Sequence, residues 1–149
     1  MRQALSELSF QTDGEGFTNI TAAINAEIAR SGISTGLATI HVKHTSCSLT
    51  VNENADPRVL RDLTTYLRAL VPQEGVQPIS GLGGLRAYSH GDEGPDDMPA
   101  HIRTALTSTS LGLSFDQGRL LLGTWQAVYL WEHRAMSHRR SLSLHLIGQ

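Results

Sequence analysis

The chain has 149 residues, enough for one domain over residues 1–149 with a core of its own. Apolar residues make up 40% and charged ones 17%, and the net charge is −2, so no electrostatic footprint for nucleic acid or a membrane surface is expected. The single cysteine, Cys47, excludes an intrachain disulfide, no apolar run approaches the roughly 20 residues of a membrane span, and the opening residues carry no signal-peptide stretch, so a cytoplasmic location is the expectation.

Residues 4 to 11 read as an opening strand and Asp13-Gly14-Glu15-Gly16 as a turn. Ile20, Ala23, Ile24 and Ile28 recur at helical spacing, with Gly32 as a stop. A strand over 37 to 44 places Ala38, Ile40, Val42 and His44 on one face. A second strand over 48 to 52 leads to Asp56-Pro57, a cap followed by a first helical residue. Val59, Leu60, Leu63, Tyr66, Leu67 and Leu70 then form an amphipathic stripe that Pro72 ends. Residues 73 to 87 are rich in glycine and proline, and 74 to 84 are expected to be mobile.

Next comes a loop, Gly91 to Pro95, and a helix whose start is signalled by Asp97 as cap and Pro99. His90 opens this stretch, His101 lies in the first helical turn, and Asp92, Glu93, Asp96 and Asp97 lie between them. The helix N-terminus disfavours a charged imidazole at His101 and favours an anion. A solvated acidic loop with an ordinary cap is the alternative reading. Three strand-like runs follow, Ser110 to Phe115, Arg119 to Trp131 and Arg139 to Ile147, with Asp116-Gln117-Gly118 as a hairpin turn and Gly123 as a bulge or close approach. Strands do not alternate regularly with helices. An α+β fold is expected, with mostly antiparallel sheets packed as a sandwich and helices outside.

His44, His90 and His101 form the candidate metal centre, because three neutral imidazoles leave a coordination position open, as catalytic zinc sites do. The spacing is no established zinc signature, and a core histidine bonded to a backbone carbonyl is the other reading of His44. Cys47 reads as a small buried thiol ahead of a nucleophile. Asn52-Glu53-Asn54 is a capped turn or a polar site. In Thr124-Trp125-Gln126 and Glu132-His133-Arg134, polar side chains interrupt an apolar run and belong to an edge or to a site. His133 and His138 flank a basic run with Arg134, Arg139 and Arg140, a solvated turn or an anion site.

Four segments carry a resemblance: His44 to Asn54, Glu93 to Ile102, Gly123 to Gln126 and Glu132 to Arg134, in order within a similarity from about residue 16 to residue 148. They resemble the motifs of the YjbQ family. The chain departs from many members at Asp96-Asp97-Met98-Pro99 and at Ala135-Met136-Ser137-His138. The resemblance implies a homotrimer, a metal-binding histidine cluster in a pocket and a small phosphorylated metabolite as ligand. It also implies a secondary thiamine-phosphate synthase, which joins a pyrimidine pyrophosphate to a thiazole phosphate and releases pyrophosphate. On that reading Glu53, Glu93, Asp97 and Gln126 are catalytic, while Ser46, Asn52, Glu132 and Arg134 bind substrate. His44, His90 and His101 hold the divalent metal, expected to be zinc, with magnesium the alternative alongside a pyrophosphate. The alternatives are a metal-dependent hydrolase of a small metabolite and a non-catalytic metal- or metabolite-binding protein.

Overall fold

The computed structural model describes residues 1–149 and is an α+β structure with antiparallel sheets. The elements in chain order are β1 (Arg2–Gln11), β2 (Gly16–Asn19), α1 (Thr21–Ser31), β3 (Gly36–Val42), β4 (Cys47–Glu53), α2 (Pro57–Leu70), α3 (Asp97–Leu106), β5 (Ser110–Asp116), β6 (Arg119–Leu120), β7 (Gln126–Glu132) and β8 (Arg139–Gly148). A five-stranded sheet has the order β1-β8-β3-β5-β6, and a three-stranded sheet has the order β2-β7-β4. No helix is long and apolar enough to cross a membrane.

Period-two alternation decides which face of each strand goes inside. In β3 the buried residues are Ala38, Ile40 and Val42, and they pair with Leu146, Leu144 and Leu142 of β8. The small sheet answers with Leu49 opposite Leu130 and Val51 opposite Val128. Ile24 and Ile28 of α1 enter the same apolar cluster, and α1 touches β1 and β6 of one sheet and β7 of the other. Burying aliphatic side chains of this size contributes about 1.5–3 kcal/mol each. α2 begins as its sequence signals: Asp56 accepts a hydrogen bond from the Arg58 N–H at 2.9 Å, with Pro57 as the first helical residue.

The structure differs from the sequence expectation at four places. β3 stops at Val42, and the ring of His44 takes over the next ladder position by accepting from the Ser141 N–H at 2.8 Å. Gly16, read as the end of a turn, instead opens β2 with residues 17–19, which had no assignment from sequence; Phe17 stacks on Trp131 at 4.5 Å and meets Tyr129 edge-on at 5.8 Å. The long apolar run breaks into β6 and β7, which belong to different sheets. The crossing turn at Gly123 is closed by the Gln126 N–H to the Gly123 carbonyl at 3.0 Å and the Gly123 N–H to Gln126 Oε1 at 2.8 Å. Finally, Asp96 rather than Asp97 precedes α3 and makes no side-chain cap, because its carboxylate is turned to Arg134 and the Ala135 N–H.

Candidate metal centre

His90, Asp97 and His101 bring their donor atoms within 4.8 Å of one another. Asp97 is the first residue of α3 and His101 lies four positions on, so both project from one face of the helix. His101 Nδ1 lies 2.8 Å from the Thr45 carbonyl oxygen. A carbonyl only accepts, so Nδ1 carries the proton and Nε2 keeps its lone pair. That lone pair faces Asp97 Oδ2 at 3.4 Å. The His90 Nε2–H donates to the same oxygen at 2.8 Å. Holding one ring nitrogen on a backbone carbonyl so that the other is free is the usual support of a metal-ligating histidine. The donor set, two imidazoles and one carboxylate, suits zinc and other transition metals and suits magnesium poorly.

Asp97 is 2% exposed in its side chain, while His101 is 30% and His90 46% exposed, so the carboxylate is the floor and the imidazoles are the rim. Burial works against the charge of Asp97, but the His90 hydrogen bond and the Arg134 guanidinium outweigh it and hold the carboxyl below the usual range. Asp96 follows the same balance, with the Ala135 N–H and Arg134 overcoming its burial. Beside His101, a cleft of about 570 Å³ lies between α3 and the segment His41–Thr45. Its lining is imidazole, hydroxyl and ammonium groups with two apolar side chains and no carboxylate.

The remaining site residues proposed from sequence fall into four places. His44 lines the same cleft, apart from the His90–Asp97–His101 group; its Nε2 is occupied by the Ser141 N–H, and burial followed by the charge of Arg140 lowers its pKa. Ser46, Glu132 and Arg140 form a closed polar knot inside the protein. Glu132 Oε1 accepts from Thr12 Oγ1 at 2.7 Å and Arg140 Nε at 2.7 Å, and its Oε2 accepts from the His133 and Arg134 N–H groups and from Arg140 Nη2. Ser46 Oγ accepts from Arg140 Nη2 at 2.9 Å. Burial again opposes the Glu132 charge, and the Arg140 and Thr12 hydrogen bonds overcome it.

Glu53 and Gln126 pair at the far end of the small sheet, whereas Cys47 and Glu132 pair at the near end. Six strand steps separate the two ends, about 20 Å. Asn52 Oδ1 is turned back to the Glu53 N–H at 2.8 Å, and Glu53 Oε1 receives the Asp56 N–H at 3.4 Å. Glu93 is 74% exposed in its side chain; its backbone carbonyl, rather than its carboxylate, takes the closer contact from Arg134, at 2.8 Å. Cys47 is fully buried, and burial pushes its thiol up to about 12, so the small-thiol reading holds. The basic run is no solvated turn: Arg134 and Arg140 are buried and paired, and only Arg139 is exposed.

Sequence reasoning took Asp97 as a helix cap and a catalytic residue, outside the three histidines named as ligands. The signal that it belongs with the histidines is its four-residue spacing from His101, which a helix converts into proximity. Arg140 was missed as an anchor because its partners, Glu132 and Ser46, are set by sheet pairing rather than by local spacing.

A sequence model described as UPF0047 protein YjbQ-like matches residues 6–149. The UPF0047 protein sll1880 of Synechocystis sp. is 47% identical over 99% of this chain and 94% of its own length. The UPF0047 protein YjbQ of Escherichia coli O157:H7 is 36% identical, covering 95% and 96%. Among solved structures, an uncharacterized yjbq/upf0047 protein of Clostridium acetobutylicum aligns with a TM-score of 0.80 at 31% identity over 95% of this chain and 99% of its own. A YbjQ-like protein of unknown function from Sulfolobus solfataricus shares the fold, with a TM-score of 0.80 at 18% identity, over 99% and 100%. These findings overturn the expected thiamine-phosphate synthase function: the relatives are described as UPF0047 proteins, a family without an assigned reaction, or as being of unknown function. The chain belongs to the YjbQ-like UPF0047 family.

Proposed function

We propose that this protein binds one divalent transition-metal ion, zinc before others, through His90, Asp97 and His101. The observation that carries this reading is the convergence of two imidazoles and one buried carboxylate within 4.8 Å, with the His101 tautomer fixed by Thr45. An ion held there would supply Lewis acidity at the edge of the cleft. Within the same reading, the cleft takes a small anionic molecule such as a phosphorylated metabolite. The support is its lining: Lys43, His41, His44 and several threonines offer donors, and no carboxylate opposes them. His44 contributes directly, because its Nε2 accepts from Ser141 and its Nδ1 therefore carries a proton. A homotrimer belongs to the same proposal, with the outer face of the five-stranded sheet, where Leu5 and Leu37 are exposed among polar side chains, as a surface available for it.

The deciding experiment is metal analysis of chelator-stripped and reloaded protein. About one zinc per chain is expected, and His101→Ala and Asp97→Ala should each lose it while keeping the circular dichroism of the parent. No uptake by the parent, or full retention in both variants, would remove the assignment.

A further inference from the structure

We infer that Arg134 is a positioning residue for the ion at this centre: by occupying one oxygen of Asp97 it presents the other, and so sets both affinity and ion preference. The inference rests on the metal reading given above. Arg134 follows β7, on a different part of the chain from its partners. Its Nη1 donates to Asp97 Oδ1 at 2.5 Å, its Nε to Asp96 Oδ2 at 3.0 Å and its Nη2 to the Glu93 carbonyl at 2.8 Å. All three nitrogens are thus spent on one short acidic segment. Three of its five N–H groups are engaged there.

The anchor itself is fixed. The Arg134 N–H is held by Glu132 Oε2 at 3.2 Å, the Ala135 N–H is held by Asp96 Oδ2 at 2.8 Å, and the Arg134 side chain is 11% exposed. A planar fork in this setting defines direction as well as charge, which an ammonium does not. The two oxygens of Asp97 therefore divide their tasks. Oδ1 belongs to Arg134, and Oδ2 faces His90 and His101 at 2.8 Å and 3.4 Å. A carboxylate free at both oxygens can take a cation through both, which favours larger, oxygen-seeking ions. A carboxylate restricted to one oxygen beside two imidazoles favours small ions that accept nitrogen, zinc above manganese. Arg134 is the only group in contact with Asp97 Oδ1 among the side-chain hydrogen bonds.

The test compares the parent, Arg134→Lys and Asp96→Asn, each stripped of metal, by competition titration with zinc and with manganese. Arg134→Lys keeps the charge and loses the fork; it should weaken zinc by about 10–100-fold. Manganese should weaken by a smaller factor, so the zinc-to-manganese preference falls. Asp96→Asn leaves an acceptor for Ala135 and slackens the grip on the guanidinium, and should lower the same ratio by less. It also serves as the milder variant if Arg134→Lys does not fold. Binding of zinc by the parent with an unchanged ratio in both variants overturns the role of Arg134 and leaves the metal site standing. So does equal weakening of both ions, the mark of a merely structural contact. Failure of the parent to bind either ion overturns the metal site itself.

Discussion

At the end of β7 sits a histidine that stays neutral. His133 is 1% exposed, and burial, aided by the positive charge of Arg103, pushes its pKa down to about 3. Its Nε2 meets Ser48 Oγ at 2.8 Å and its ring lies against Trp131 with centroids 5.0 Å apart. The unfolded chain takes a proton on this residue below pH 6.5, but the folded one does not until about 3. Stability is therefore complete above pH 6.5 and falls as pH drops through that window, by at most about 1.4 kcal/mol per pH unit. Urea unfolding at pH 7 and pH 5 should show a smaller drop for His133→Asn than for the parent, whatever the variant loses at pH 7. Identical drops would remove His133 from the account. In sequence the charged run around it stays open between a solvated turn and an anion site, because charged side chains are exposed by default. Arg134 is buried here only because Asp96 and Asp97, almost forty positions earlier, meet it. Such remote pairing leaves no local pattern. In the candidate centre, Asp97 and His101 stand four apart at a helix start, a local spacing that places both on one face.

Among the elements, those with a strong period or cap matched their sequence reading: α2 with Asp56 and Pro57, and β3 with its alternation. Strand ends and breaks were less legible. Arg119 to Trp131 is mostly apolar, and its interruption at Gly123-Thr124-Trp125-Gln126 does not say that β6 and β7 lie in different sheets. The segment between α2 and α3 lacks helices and extended strands, as its glycines suggest, but it is pinned at one place. Val76 and Arg86 exchange N–H to carbonyl bonds of 3.0 and 2.8 Å. Gly75 makes the approach possible: at φ +129° it adopts a conformation other residues avoid, and a Cβ there would come within 2.2 Å of the Arg86 carbonyl oxygen. Beyond that bridge Ile79 and Leu82 are exposed and anchor nothing. In hydrogen exchange, amides from 77 to 85 should exchange fastest, while those of Val76 and Arg86 are slowed. Protection of 77 to 85 equal to that of α2 would contradict this division.

For the whole molecule, the fold class was readable because hydrophobic periodicity and element order need no partner chain to interpret. The origin of the apolar β7 was not. An apolar run on both faces hints at a neighbouring subunit, but the structure covers both faces with its own chain: Val128 and Leu130 enter the core, while Tyr129 and Trp131 meet Phe17. The proposed trimer therefore calls on another surface. Light scattering at micromolar concentration should give three times the chain mass of 16.2 kDa if the trimer proposal holds, and the monomer mass would end it.

The order β1-β8-β3 has a consequence for biosynthesis. β8 follows every other strand in the chain, yet it lies between the first strand and the third and pairs with both along their lengths. While a ribosome is still making the chain, β1 and β3 have no common neighbour, and each offers an open row of backbone donors and acceptors. The large sheet cannot be assembled piece by piece as the chain emerges. It closes only after β8 is free, so the nascent protein passes through a period when its longest edges are open to other chains.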